Sequence, residues 1–279
     1  MYSTVLLLLL SCALMPQLAM ASGFIDWRSV ILEAGYDSDE TKTWYIDTQL
    51  GFNKGYWIWM AAQKNNVESE FDTDLDSRSY FVGFGHDSGA RWNYDLTYEN
   101  WGNPGDIETN ALRAAISFIQ GDWVLSAMPQ YREIDLEGKN NSDDFSFNER
   151  GLGMRVEYSG IEAWVLYLEY YDYNFSKKPD RLEDIDVIEG LTFTATSLAS
   201  GFYDRDAVLG IGHWVEPFNI TLQYTRDKSA IDNGHIKTTE AHIDYYPSDN
   251  IIPYLRIGRA SFPGFSPLWF GNIGLQIIW

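Results

Sequence analysis

The side chains with the clearest potential for chemistry alternate along a segment near the C-terminus. Glu240, His242 and Asp244 are separated by single residues, so a β-strand would place all three on one face. If the next connection closes as a five-residue turn, Arg256 lies across from His242 and diagonal to both carboxylates. Two interpretations are open: an ion-pair ladder that stabilises a strand wall, or a constriction whose opposed charges favour the permeation of cations.

Charged side chains follow the same period of two in other segments, and alternation assigns them to one predicted inward face. Seven carboxylates stand against three arginines in this set. The predicted lumen residues are Asp47, Asp95, Glu99, Arg113, Arg155, Glu157, Glu169, Glu240, His242, Asp244 and Arg256. The excess of acids predicts a weak preference for cations along this face.

Enzymatic chemistry on lipids is an alternative for the same histidine. A lipid hydrolase or acyltransferase needs a nucleophile, a histidine base and an orienting group within hydrogen-bond reach, at the outer rim. Of the four histidines only His242 lies among carboxylates, and alternation points it into the lumen. No local motif supplies a serine partner, so the sequence predicts no enzyme and no catalytic residues.

Metal binding is suggested by Asp72, Asp74 and Asp76, which have the spacing of a calcium loop. The glycine and glutamate required at the sixth and twelfth positions are replaced by Ser77 and Gly83. The sequence therefore predicts no metal site and no cofactor. The three aspartates are interpreted as a solvated acidic loop.

Most of the chain alternates apolar and polar residues with the period of a β-strand; Trp92, Tyr94, Leu96 and Tyr98 are one example. The segments run about nine to twelve residues, the length that a tilted strand needs to cross a bilayer. Fourteen strands are predicted, near 28–37, 42–52, 55–62, 78–87, 91–99, 109–119, 122–132, 147–158, 162–173, 206–215, 218–227, 236–246, 250–260 and 268–279.

Connection lengths predict how these strands are joined. Tight connections at 53–55, 86–90, 120–122, 159–161, 216–217 and 247–250 each follow an even-numbered strand, and the long acidic connections include 63–77, 133–146 and 175–205. Residues 190–200 look strand-like but would make the count odd, so they are placed inside the longest loop, a candidate plug or gate. An even count indicates a closed membrane barrel rather than a soluble sandwich.

Aromatic residues gather at the predicted strand ends, where amphipathic rings meet a membrane interface. The predicted periplasmic girdle comprises Phe52, Trp92, Trp123, Trp214, Phe218, Tyr245 and Trp279. The predicted outer girdle comprises Tyr98, Trp101, Tyr131, Tyr170, Tyr171 and Tyr224. Carbohydrate-stacking platforms are the competing interpretation of these rings.

The N-terminal segment, 1–21, has no charged side chain and combines a leucine-rich run with the small-residue pattern Ala19-Met20-Ala21. This combination predicts a cleaved secretory signal peptide ahead of a single barrel domain, 22–279. A lipoprotein cleavage site at Cys12 is the alternative. The net charge of −20 argues against a nucleic-acid partner, and the aromatic content of 16% argues against acidic disorder.

The final segment, in which Ile273, Leu275, Ile277 and Trp279 alternate with other residues, resembles the insertion signal of Gram-negative outer-membrane β-barrel proteins, which more often ends in Phe. In size and strand count the chain is similar to fourteen-stranded monomeric porins, and no motif assigns a substrate-specific subfamily. The resemblance implies an all-β, antiparallel up-and-down transmembrane barrel with short periplasmic turns and long acidic extracellular loops.

The same resemblance implies a location in the outer membrane and a set of partners. These are membrane lipids and lipopolysaccharide, the barrel-assembly machinery during insertion, and small hydrophilic solutes, with a monomer as the functional unit. The predicted function is a porin-like channel for passive diffusion, weakly cation-preferring. A lipid-modifying enzyme, or a structural barrel that sheathes a periplasmic partner, are the alternatives.

Overall fold

A computed structural model describes residues 25–66, 76–87, 89, 91–103, 107–136, 145–177, 202–230, 233–263 and 266–279. Fourteen antiparallel strands form one closed barrel, in which each strand pairs with its neighbours in sequence and β1 pairs with β14. The predicted fold class and the predicted strand count are therefore confirmed. Closure leaves no unpaired strand edge, as a sheet in lipid requires.

The strands are slightly longer than predicted at several ends. They are β1 (Ile25–Asp37), β2 (Lys42–Phe52), β3 (Tyr56–Asn66), β4 (Ser77–Asp87), β5 (Trp92–Asn103), β6 (Ile107–Gln120), β7 (Trp123–Leu136), β8 (Phe145–Ile161), β9 (Trp164–Phe175), β10 (Tyr203–Val215), β11 (Phe218–Ser229), β12 (His235–Tyr245), β13 (Ile251–Ser261) and β14 (Leu268–Ile278).

Connections after even-numbered strands have two to five residues and lie at one barrel end, which we call the short-connection end. At the opposite, long-connection end the lengths run from three residues at 104–106 to 27 at 176–202. Three connections there, 38–41, 104–106 and 230–234, have no more than five residues, so the lengths alternate less regularly than predicted. The turn predicted at 159–161 is also displaced: β8 continues through a register shift to Ile161, and Ala163 takes the positive φ of the turn.

The outward face of the barrel is apolar and exposed. Met154 and Ile273 retain 63% and 67% of their accessible surface, and outward leucines, isoleucines and aromatic rings surround the barrel in the same way. Exposing such an apolar surface to water is unfavourable, whereas contact with the hydrocarbon core of a bilayer is favourable. Among the described residues there is no helix with the length and apolar character needed to span a membrane.

Outward aromatic pairs gather at the short-connection end, where an interfacial girdle was expected. Trp92 contacts Phe118 with ring centroids 4.8 Å apart, and Phe218 stacks on Tyr245 at 5.1 Å. Trp123 likewise packs on Tyr158 at 4.5 Å. Their indole and phenol groups are placed to lie at the lipid–water boundary.

Three aromatic residues predicted in the girdles point inward instead. Tyr170 and Tyr171 are consecutive, and strand alternation sends only Tyr170 outward. Trp101 is three residues beyond the outward Tyr98 and is therefore inward and buried. Trp214 shares its face with the inward Asn219, which it pairs with directly. The prediction used nearness to a strand end and ignored parity, which decides the side.

Candidate functional site

The barrel lumen is the candidate site, because directly opposite residues of antiparallel strands share a face and polar residues occupy the inward one. All eleven charged residues predicted for the lumen occupy inward positions by register. They do not form one cluster. They are distributed over seven strands, namely β2, β5, β6, β8, β9, β12 and β13.

The β12–β13 pair carries the densest group. His242 lies directly opposite Arg256, because the connection between the two strands has five residues. Arg256 Nε donates to Glu240 Oε1 at 2.8 Å, and His242 Nε2 lies 2.7 Å from Asp244 Oδ1. Asn219 of β11 donates to the second oxygen of Asp244 at 3.1 Å. Each charged group here therefore has a polar partner.

A second ionic group lies on β8 and β9. Arg155 contacts Glu157 at 2.7 Å and Glu169 at 3.5 Å, and its guanidinium lies 4.4 Å from the centre of the Tyr167 ring. The Tyr167 hydroxyl crosses β10 and donates to Gln223 Oε1 at 2.8 Å. We call these two groups together, Arg155, Glu157, Glu169, Glu240 and Arg256, the ionic wall; they lie on β8, β9, β12 and β13.

The guanidinium groups in the lumen remain solvent-accessible although they lie inside a closed barrel. The side chain of Arg256 is 41% exposed and that of Arg155 34%. Arg113, which pairs with Glu99 at 2.7 Å, is 36% exposed. A barrel interior filled by packed side chains would bury these groups, so the middle of the lumen can hold water.

The part of the lumen wall on β1 to β3 has a different character. Trp27, Tyr45, Trp57 and Trp59 face inward together with Asp47; we call these five residues the aromatic wall. They border a cavity of about 720 Å³. The sequence predicted the inward carboxylate Asp47 but did not predict the aromatic rings around it.

Glycines on neighbouring strands make room for the indoles. A Cβ atom at Gly83 would lie 1.7 Å from Trp59 Nε1, and one at Gly85 would lie 2.1 Å from Trp57 Cζ2. Gly51 makes the same space for Trp27, at 2.1 Å. Each ring therefore covers a glycine of the wall, which fixes its position.

Further inward charges went unnoticed in the sequence although alternation includes them. Glu33 accepts hydrogen bonds from Asn272 of β14, which closure pairs with β1, and from Tyr254 of β13, the next strand along. Arg132 and Glu149 form a buried ion pair. Asp206 lies directly opposite Asp227, so two carboxylates share one inward face. These positions were overlooked because they have no distinctive spacing.

The lumen is apolar and buried near the long-connection end. Ile134, Phe147 and Leu268 face inward there and are almost completely buried. Phe202, directly before β10, packs on Phe147 at 6.0 Å and lies under Arg132 at 5.6 Å. Of the predicted plug, 175–205, only residues 175–177 and 202–205 belong to the described part of the chain.

The predicted acidic loop is described only at its end. Asp76 pairs with Lys64 at 2.7 Å and accepts a hydrogen bond from Asn66, whereas Asp72 and Asp74 lie outside the described residues. The segment 1–21 and residues 190–200 also lie outside them. Within the described ranges, no three His, Cys, Asp or Glu side chains are grouped so as to hold a metal ion.

Structural comparison relates this architecture to known outer-membrane proteins. The Acinetobacter baumannii outer membrane protein Omp33 is 10% identical, with a TM-score of 0.52 over 92% of this chain and 99% of that chain. A loop L8 deletion mutant of OmpT, an outer membrane protein of Vibrio cholerae, is 9% identical, with a TM-score of 0.50 over 91% and 99%.

A KdgM porin in complex with oligogalacturonate gives a TM-score of 0.48 at 9% identity, over 89% of this chain and 98% of that chain. No protein-family model and no curated protein matches the sequence. At such low identity the likeness shows the fold alone. The chain therefore has the fold of an outer-membrane β-barrel protein, as the resemblance in its sequence predicted.

Proposed function

We propose that the protein is a passive channel of a Gram-negative outer membrane, exported by its N-terminal signal segment, that admits small hydrophilic solutes and weakly prefers cations. The observation that carries this proposal is the exposure of Arg113, Arg155 and Arg256 inside a closed barrel. Hydrated charged groups along the wall replace part of the hydration shell of a passing solute. The short-connection end faces the periplasm in this proposal.

The balance of inward charge supports the preference for cations. By register, the inward carboxylates of the described strands are Glu33, Asp37, Asp47, Asp87, Asp95, Glu99, Glu149, Glu157, Glu169, Asp206, Asp227, Glu240 and Asp244. The inward arginines are Arg113, Arg132, Arg155 and Arg256. An excess of carboxylates in a lumen with low-dielectric walls raises the local concentration of cations.

Reconstitution of the purified chain in planar bilayers tests the channel directly. We expect stepwise increases in current and, under a KCl gradient, a reversal potential of the sign that cation preference requires. The absence of steps, or a reversal potential of the opposite sign, would contradict the proposal. A barrel that only sheathes a periplasmic partner would give no steps.

A double variant of two lumen residues tests the cation preference most directly. Glu240→Gln with Asp244→Asn removes two carboxylates from β12 while keeping side-chain shape, so the reversal potential should move toward zero. Asp122→Asn, in an exposed turn at the short-connection end, is the matched control and should leave the reversal potential unchanged. An unchanged reversal potential in the double variant would remove these two residues from the conducting path.

A lipid-modifying activity has less support in the geometry. His242 is hydrogen-bonded to Asp244 and stacks on Tyr254 at 5.1 Å, on the face that points away from lipid. In the described part of the chain, no hydrogen bond joins this histidine to a serine or threonine hydroxyl. Phospholipid turnover by wild type that is lost in His242→Ala would establish the enzyme instead.

A further inference from the structure

The channel proposal does not explain the residues that line the cavity of the aromatic wall. Three indoles, the phenol of Tyr45 and two carboxylates, Asp47 and Asp87, border a space of about 720 Å³. No Lys, Arg or His belongs to the described residues that line it. A pocket of this size accommodates a small organic molecule, and its lining combines flat apolar surfaces with negative charge.

The indoles are held in place before any ligand arrives. Trp27, Trp57 and Trp59 each occupy the space over a glycine, so each ring packs against the strand wall and also lines the cavity. Trp59 also stacks on Phe81, with centroids 5.9 Å apart. Rings fixed in this way lose little side-chain freedom when they bind a ligand.

Asp47 provides the independent observation that points to a ligand. Its side chain lines the cavity and the residue is only 2% exposed. Oδ2 accepts a hydrogen bond from the Tyr45 hydroxyl at 3.3 Å, whereas Oδ1 has no hydrogen-bond partner among the described residues. A buried carboxylate oxygen without a partner is unfavourable, and a bound cation would compensate it.

We propose that this cavity binds a small organic monocation of the quaternary ammonium class. Cations are attracted to indole faces, Trp being the strongest aromatic partner, and Asp47 and Asp87 add the charge that neutralises the ligand. A strongly hydrated inorganic ion would make little use of three indoles. A neutral sugar would stack on the rings without compensating the carboxylates.

Calorimetric titration of the full-length chain in detergent micelles tests this site without requiring an open channel. The probe is choline, compared with 3,3-dimethyl-1-butanol, which has the same shape and no charge. We expect choline to bind at least about tenfold more tightly, a difference within the range of cation–π and charge effects. Equal affinities would overturn the proposal, and so would binding of glucose in place of choline.

Variants assign the binding to this cavity. Asp47→Asn and Trp59→Leu should each weaken choline binding by about tenfold, and Trp59→Phe, which keeps an aromatic face, by about threefold. Asp122→Asn makes the same charge change in an exposed turn and should bind like wild type.

Heat-modifiable migration in gels checks the folding of every variant. If Trp59→Leu does not fold, Trp59→Phe and Asp47→Asn still decide the question. Wild-type affinity in folded Asp47→Asn would overturn the assignment. Because the titration measures binding alone, failure of the channel proposal in bilayers and failure of this site are distinguishable.

Discussion

The ionic wall and the aromatic wall of the lumen satisfy their charges in different ways. On the ionic wall each carboxylate has an arginine within 3.5 Å, with Arg155 serving Glu157 and Glu169 and Arg256 serving Glu240. On the aromatic wall no Lys, Arg or His among the described residues pairs with Asp47, and three indoles line the same cavity. In the closed barrel of fourteen strands, the Arg155 part of the ionic wall, on β8 and β9, lies across the lumen from β2, whereas the Arg256 part, on β12 and β13, is only three to four strands from β2. On the proposed channel path, a solute therefore has the aromatic wall on one side and Arg155 with its carboxylate partners on the other.

This difference shows that the inward-facing residues of a membrane barrel can vary independently of the fold. The outward face and the backbone ladder stabilise the fold, so the inward face can vary without loss of architecture. In the ionic wall, the inward positions are occupied by ion pairs that leave a small net charge. In the aromatic wall, the charge of Asp47 is not balanced, an unfavourable arrangement that is typical of functional positions.

The largest effect should come from filling the space under an indole. Gly83→Val places side-chain atoms where Trp59 Nε1 lies, since even the Cβ would be 1.7 Å away. We expect a loss of about 3 kcal/mol in unfolding free energy, because overpacking forces the ring or the strand to move. Urea unfolding in detergent micelles measures it, and choline binding should fall in parallel.

The control for this change is Gly271→Ala, where the nearest atom to the added Cβ is 3.7 Å away. It should leave unfolding and choline binding close to wild type. If Gly83→Val retained both stability and binding, the indole would not depend on the glycine, and the aromatic wall would lose its proposed rigidity.

Removing one cation should make the ionic wall resemble the aromatic wall. Arg256→Met keeps much of the side-chain volume but leaves Glu240, whose side chain is 13% exposed, without its partner. We expect unfolding free energy to fall by about 2 kcal/mol, the usual cost of orphaning a poorly hydrated polar group. The reversal potential should shift toward stronger cation preference, and a shift in the other direction would contradict the charge-balance argument.

Neutralising one carboxylate on each wall should have opposite effects on stability. Asp47→Asn removes a buried charge that has no cationic partner, so unfolding free energy should stay equal or rise by up to about 1 kcal/mol. Glu240→Gln weakens the ion pair with Arg256 and should lower the unfolding free energy by about 1 kcal/mol. Equal losses in the two variants would show that Asp47 contributes to the fold like any paired carboxylate.

The smallest effect concerns salt. The Debye length falls from about 10 Å at 0.1 M salt to about 3 Å at 1 M, so cation preference set by the exposed charges of the ionic wall should shrink as KCl is raised at a constant gradient ratio. Reversal potentials measured at several mean concentrations report this directly. A preference independent of salt would place selectivity at buried groups such as Asp47 instead.

Much of this molecule could be predicted because a membrane barrel repeats one local rule. Alternation and turn spacing predicted fourteen strands, and the five-residue connection after Tyr245 sufficed to predict that Arg256 lies opposite His242. Errors arose where nearness to a strand end was given more weight than parity. Trp101 and Tyr171 were therefore assigned to the lipid side, although they face the lumen.

The aromatic wall could not be predicted in the same way. Trp57, Trp59, Gly83 and Gly85 are visible in the sequence, but nothing local indicates that each indole covers a particular glycine. That arrangement depends on the stagger between β3 and β4, which pairs Trp57 with Gly85 and Trp59 with Gly83. The buried apolar residues at the long-connection end were missed because their neighbours are distant in sequence.

The amino-acid sequence by itself determined the strands, their number and the face that each residue occupies, because the period of a β-strand is a local property of the backbone. Tertiary structure alone decided which side chains meet across the lumen. Tyr254 reaches Glu33, 221 residues away in sequence, because β1 closes on β14. Closure and stagger bring distant residues together, and these contacts separate an ionic wall from an aromatic one.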